Sequence, residues 1–154
     1  MDYDKLHFIK NDFLQKVKTL QAAAAGNWGV MNAQQMVEHV SAFFKVSTGQ
    51  IVFPLATAPE DLPKYKAFLL SDKMFRQNTK ALVLPAEALP LRFADMQSAL
   101  DELQQSIEHF FCRFEHEQGL ITQHPVFGDL NFEEWVLLHY KHVTHHARQF
   151  GLME

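Results

Sequence analysis

Cysteine is nearly absent from this chain of 154 residues: Cys112 stands alone. With no second cysteine it makes no intramolecular disulfide, which fits a reducing compartment. Glycine and proline are also scarce, at six residues each, too few for a loop-rich or disordered chain. Positive charge is not in excess, since 14 Lys and Arg face 18 Asp and Glu for a net −4. No basic stripe stands out. That argues against a phosphate-tracking nucleic-acid binder and against attachment to an anionic membrane. Apolar runs all stay short of the roughly 20 residues needed to span a bilayer. The opening MDYDKLHF carries two early acids and no apolar stretch of a secretory leader. The expectation is a cytoplasmic protein with one domain over residues 1–154.

Several catalytic signatures are missing as well. There is no Glu-x-x-His pair, which excludes a di-iron carboxylate bundle. No His-Glu-x-x-His occurs, so the chain is not a zincin. Gly-x-Ser-x-Gly and glycine-rich phosphate loops are absent. Cys112 belongs to no Cys-x-x-Cys and has no evident activating base, and reads as a small helix residue.

Aromatic and helix-forming residues are plentiful; phenylalanine alone numbers 14. Leu6, Ile9, Phe13, Val17 and Leu20 recur at spacings of three and four, which predicts an amphipathic helix over about 4–25. Gly26-Asn27-Trp28-Gly29 breaks it. Asn32 is a suitable N-cap for a second helix to about Gly49, with Met36, His39, Val40, Phe43 and Val46 on its inner face. Residues 50–92 are punctuated by five prolines. They suggest a short helix over Leu62–Leu70, a turn near Asp72–Arg76 and an extended crossover from 77 to 92 that could wall or cover a pocket. The strand-like pieces Ile51-Val52-Phe53 and Ala81-Leu82-Val83-Leu84 are too short for a sheet-based fold. Phe93, Met96, Leu100, Leu103, Ile107, Phe110 and Phe114 predict a long helix over about 91–117. Gly119 ends it, and 119–130 reads as a loop. Asn131, with Glu134 three residues on, caps a last helix to about Phe150, and Gly151 suits its C′ position. Four long amphipathic helices and one irregular crossover between the second and third give the expected fold: all-α, a four-helix bundle.

The last helix also carries the densest chemistry. His139, His142, His145 and His146 place four of the chain's nine histidines in eight residues. On a helix, His142 and His146 lie about 40° apart on one face, together with Trp135 and Leu138. A core face would ordinarily be filled with Leu, Ile or Phe, and buried polar groups are costly unless satisfied. One metal ion satisfies several imidazoles at once. His39, on the inner face of the second helix, is the best third ligand. Three His ligands leave coordination positions open, as in catalytic rather than structural sites. His139, with its angular offset, suits a supporting position; His145 flanks. The alternative is a solvated, partly charged histidine-rich helix end. His7, His109 and His116 read as surface residues, and His124 as part of a turn that could also cover the site. Gln35, Gln149 and His139 are candidates to orient a substrate, and Trp28 and Trp135 to wall its pocket. The Phe110, Phe111 and Phe114 surplus suits either a dimer interface or a thick core.

The tail His142-x-x-His145-His146-x-x-Gln149, combined with His39, resembles the DinB-like superfamily that includes the YfiT-type proteins. The segments Trp28-Gly29-x-Met31-x-Ala33-x-Gln35-Met36-x-x-His39 and His124-Pro125-x-Phe127-Gly128-x-Leu130 resemble an uncharacterised branch of it, as do Glu134-Trp135 and Gln149-Phe150-Gly151. The resemblance implies a DinB-like four-helix bundle, often a homodimer, whose divalent metal (Zn or Ni) sits on His39, His142 and His146. It also implies a small-molecule substrate, with a low-molecular-weight thiol as cosubstrate in the S-transferases or isomerases. Metal-dependent hydrolysis, or a non-catalytic metal-binding or stress-response role, are the alternatives. An enzyme predicts an open cavity beside His39; a non-catalytic protein predicts a filled one.

Overall fold

The computed structural model describes residues 1–79 and 88–154. The chain begins with α1 (Tyr3–His7), which passes through a π turn (Phe8–Asp12) into α2 (Phe13–Val17). Then come α3 (Ala33–Ser47), a 3₁₀ turn (Pro59–Asp61) running into α4 (Leu62–Leu70), and α5 (Met96–His116). A hairpin of β1 (Thr122–His124) and β2 (Gly128–Leu130) precedes α6 (Phe132–Gln149).

The four-helix bundle expected from the sequence is therefore corrected. The described residues are mostly helical, with five helical rods once α1 and α2 are joined, and they carry a two-stranded antiparallel sheet. Two features separate it from that expectation. The short helix α4 is a packed element lying against α6. The segment read as a loop pairs Thr122 with Leu130 and His124 with Gly128. Three-residue strands fall below the run length at which period-two alternation becomes visible. The pairing is fixed instead by the turn: the Nδ1 of His124 accepts from the backbone N–H of Val126 (2.9 Å) and of Phe127 (3.2 Å).

Local chemistry explains the helix limits. Asn32 and Gln35 form a reciprocal capping box at the start of α3, and Asn131 and Glu134 do the same for α6. Asp95 caps α5 by accepting from Ser98 N–H at 2.7 Å, so that helix starts later than the apolar stripe suggests. Gly151 N–H bonds to the Arg148 carbonyl and Leu152 N–H to the Ala147 carbonyl, the paired bonds of a Schellman ending. The first helix stops at Val17, short of the Ala22–Ala25 run. The carbonyls of Ala22 and Ala24 accept from Gln34 and Ala33 N–H instead, serving the open donors at the start of α3. In α1–α2 the wide π turn absorbs one residue, so Ile9, Phe13 and Val17, four apart, all remain fully buried.

Trp135, Phe13, Phe44, Phe110 and Met36 are among the largest fully buried side chains. Phe110 and Phe114 are buried, and both pack with Phe132, as does the half-buried Phe111. α3 runs along α5, and α6 touches α1, α2, α3 and α4. The far end of the crossover is tied to α3: Gln34 donates to the Phe93 carbonyl, Gln35 to that of Leu89, and buried Glu38 accepts from Arg92 N–H. Its near end is held by Lys141, whose ammonium donates to the carbonyls of Ser71 (2.7 Å) and Lys73 just beyond α4. Residues 72–76 form no helical turn. The strand-like piece at 81–84 lies outside the described residues. No helix among those described is long and apolar enough to cross a membrane.

Candidate metal centre

α3 and α6 bring His39, His142 and His146 together. One ring nitrogen from each lies within 4.8 Å of the others. The His39 Nε2 stands 2.9 Å from the His142 Nε2, which stands 3.1 Å from the His146 Nε2. Three nitrogens on one tetrahedral zinc at 2.0–2.1 Å would be separated by roughly 3.3 Å. The two short separations are a few tenths of an ångström tighter.

The tautomer of His146 follows from its neighbours. The Trp28 carbonyl can only accept, and it takes the Gln149 Nε2 at 2.9 Å. The Gln149 Oε1 is thereby turned to the His146 Nδ1 at 2.7 Å, which must carry the proton. Burial holds His146 neutral, so its Nε2 presents a lone pair to the cluster. No neutral tautomer of His39 and His142 satisfies both short contacts. If His142 is protonated at Nε2, it donates fully to only one neighbour. If His39 donates to His142 instead, two bare nitrogens face each other at 3.1 Å. A cation accepts all three lone pairs.

Burial and the neighbouring imidazoles push all three basicities down. His39 falls to about 4, chiefly by desolvation and then by repulsion from His145. His142 falls well below the ordinary value, by desolvation first and then by repulsion from His146 and His39, and His146 does so by desolvation and then repulsion from His39, partly offset by its bond to Gln149. All three are neutral at pH 7, the form that ligates.

The supporting shell is built from the Gly26-Asn27-Trp28-Gly29 break. Asn27 N–H bonds to the Gln149 carbonyl at 2.7 Å. Gly29 has φ +80°, and a Cβ there would stand 2.6 Å from the Gln149 Nε2. The loop thus closes around the amide that orients His146. Phe43, one turn after His39, sets its ring against both His39 (5.1 Å) and His142 (5.3 Å). His39 and His142 keep part of their surface in solvent, whereas His146 is buried.

Other sequence candidates take different places. His139 is 1 % exposed, stacked between Phe44 (3.9 Å) and Trp135 (5.3 Å), with no hydrogen-bond partner at Nε2. His145 packs edge-on to Trp28, Phe75 and His146. Burial lowers its pKa, partly offset by a bond to the Phe75 backbone. The Gln35 amide is occupied by the Asn32 cap and the Leu89 carbonyl. Trp135 is fully buried and donates to the Thr122 hydroxyl at 2.8 Å. His124 serves the hairpin turn. His7, His109 and His116 are exposed. The His116 Nδ1 lies 2.8 Å from the Cys112 carbonyl and so carries a proton, which leaves no base facing that exposed thiol. What the sequence did not foretell is the specific duty of Gln149. Its position three residues after His146 was the available signal. Two cavities, of about 460 and 290 Å³, lie around Tyr140, and no residue of the triad lines either.

A family described as a protein of unknown function (DUF1569) matches residues 2–153. No curated protein and no solved structure matches the chain.

Proposed function

The chain belongs to the DUF1569 family, and for it we propose a metal-dependent enzyme in which His39, His142 and His146 hold one divalent ion, zinc or nickel, and act on a small molecule. The observation that carries this reading is the pair of short Nε2 contacts at 2.9 and 3.1 Å, with the His146 lone pair fixed toward them by Gln149. The resemblance of His39 and the His142-x-x-His145-His146-x-x-Gln149 tail to the DinB-like superfamily supports the same ligands. When bound, the ion supplies Lewis acidity that lowers the pKa of a thiol or water entering its remaining coordination position. The chain's own contribution is to keep three imidazoles neutral, to orient them, and to leave the edges of His39 and His142 in reach of solvent. A low-molecular-weight thiol fits this site well, because no carboxylate joins the described cluster to act as a base. Hydrolysis predicts a carboxylate or a further histidine beside the metal-bound water.

A second reading, a non-catalytic metal-binding protein, would use the same three ligands in a closed site. Cobalt(II) substitution separates the two. With an open position, adding glutathione to the cobalt-loaded protein produces a thiolate-to-cobalt band in the near ultraviolet. A spectrum indifferent to glutathione and to azide would leave the non-catalytic reading standing.

A further inference from the structure

α6 carries a second polar group on another face. Lys141 and Arg148 are seven residues apart and share a face about 100–120° around the axis from His142. Together with Lys5 they line the cavity of about 290 Å³ between α1, α4 and α6. Against these three cations the lining offers one carboxylate, Asp72. Lys5 is paired with Asp2 at 3.1 Å, Lys141 has no ion-pair partner among the described residues, and Arg148 is held through its Nε alone by the main-chain oxygen of Glu154, the last residue of the sequence. Such a concentration of positive charge is notable in a chain of net charge −4.

Donors remain to be used. Lys141 is 4 % exposed and gives two of its three N–H groups to the Ser71 and Lys73 carbonyls. Arg148 gives only its Nε to a main-chain oxygen of Glu154, at 2.9 Å, leaving its terminal fork without a partner among the described residues. The rest of the wall is Leu69, Leu70, Met74 and Leu137, with Ser71 and Tyr140. We propose that this cavity binds a small organic anion whose carboxylate or phosphate head meets Lys141 and Arg148 and whose short hydrocarbon body covers Leu70, Met74 and Leu137. Partly desolvated cations attract an anion far more strongly than exposed ones, and the guanidinium fork suits a two-oxygen head. A bare inorganic ion would leave the apolar wall uncovered. If Lys141 served only to clamp the segment after α4, its own bonds would suffice, and Arg148 would contribute nothing to binding.

Calorimetric titration of the full chain with hexanoate and with hexyl phosphate tests this. At least one should bind saturably and shift the backbone amides of Leu137, Tyr140 and Lys141; the tighter of the two identifies the head group. Arg148→Gln should weaken binding at least tenfold at an unchanged melting temperature, and Arg148→Lys, which keeps the charge but not the fork, should restore only part of it. Absence of saturable binding of both probes at millimolar concentration overturns the proposal. So does binding that Arg148→Gln leaves unchanged. Lys141→Met should abolish binding if it folds; if it does not, the Arg148 variants decide.

Discussion

Gln149 shows how much one side chain can settle. Its amide reads the Trp28 carbonyl on one side and the His146 Nδ1 on the other, and so selects the ligating tautomer. Partners of this kind typically contribute ten- to hundredfold to metal affinity. Gln149→Ala should therefore weaken zinc binding by about that factor, measured by competition with a chelator, while the three ligands remain. Gly29→Ala should have a related effect by a different route. The backbone there is left-handed, costing a non-glycine residue about 1–2 kcal/mol, and the new Cβ would meet the Gln149 amide at 2.6 Å. We expect both a lower unfolding midpoint in urea and weaker metal binding. Unchanged affinity in both variants would show that the amide does not orient His146.

At the scale of single elements, the helix starts were the most legible part of the chain. Asn32 was readable as an N-cap and Asn131 with Glu134 as a capping box, and the structure contains both, with Gln35 completing the first. Asn131→Ala should cost about 1 kcal/mol in urea unfolding. The span Leu62–Leu70 was equally readable between its flanking prolines and bend. Helix ends and the hairpin were not. The Ala22–Ala25 run has high helix propensity, yet its carbonyls are taken by the start of α3, a tertiary demand that outweighs local preference. The hairpin rests on an imidazole accepting two backbone N–H groups, a signal without periodicity. That imidazole carries a pH prediction. Desolvation lowers the folded pKa of His124 from 6.5 to about 3, and that of His39 from 6.5 to about 4. Between those values and 6.5 the unfolded chain binds more protons than the folded one. Stability from these groups is therefore complete above pH 6.5 and drains away as pH falls toward 4 and then 3. The metal-free protein should lose a few kcal/mol in urea titrations between pH 7 and pH 4. His124→Asn, whose side-chain oxygen can still accept from Val126 N–H, should fold and show a shallower decline. A flat pH profile for the wild type would contradict the buried, neutral assignment.

For the whole molecule, the sequence pattern located the ligand helices but overstated the regularity of the architecture. Apolar stripes mark amphipathic helices without saying what packs on them. α4 and the hairpin fill positions that four rods alone were expected to enclose. The convergence of His39 with His142 and His146, 103 residues away for the closest pair, was legible because two features agreed: an i, i+4 pair on a core-facing stripe, and a histidine on another inner face. The duties of His139 and Gln35 were not, because angular position on a helix cannot tell an aromatic sandwich or a cap from a pocket wall.

The central claim is that these three imidazoles bind one divalent metal ion. Metal content by mass spectrometry, on protein purified without a histidine tag, tests it most directly when wild type and His142→Ala are compared after equilibration with zinc or nickel. About one equivalent in the wild type, lost in a variant that still folds, is the predicted result. A wild type that retains no metal would contradict the account.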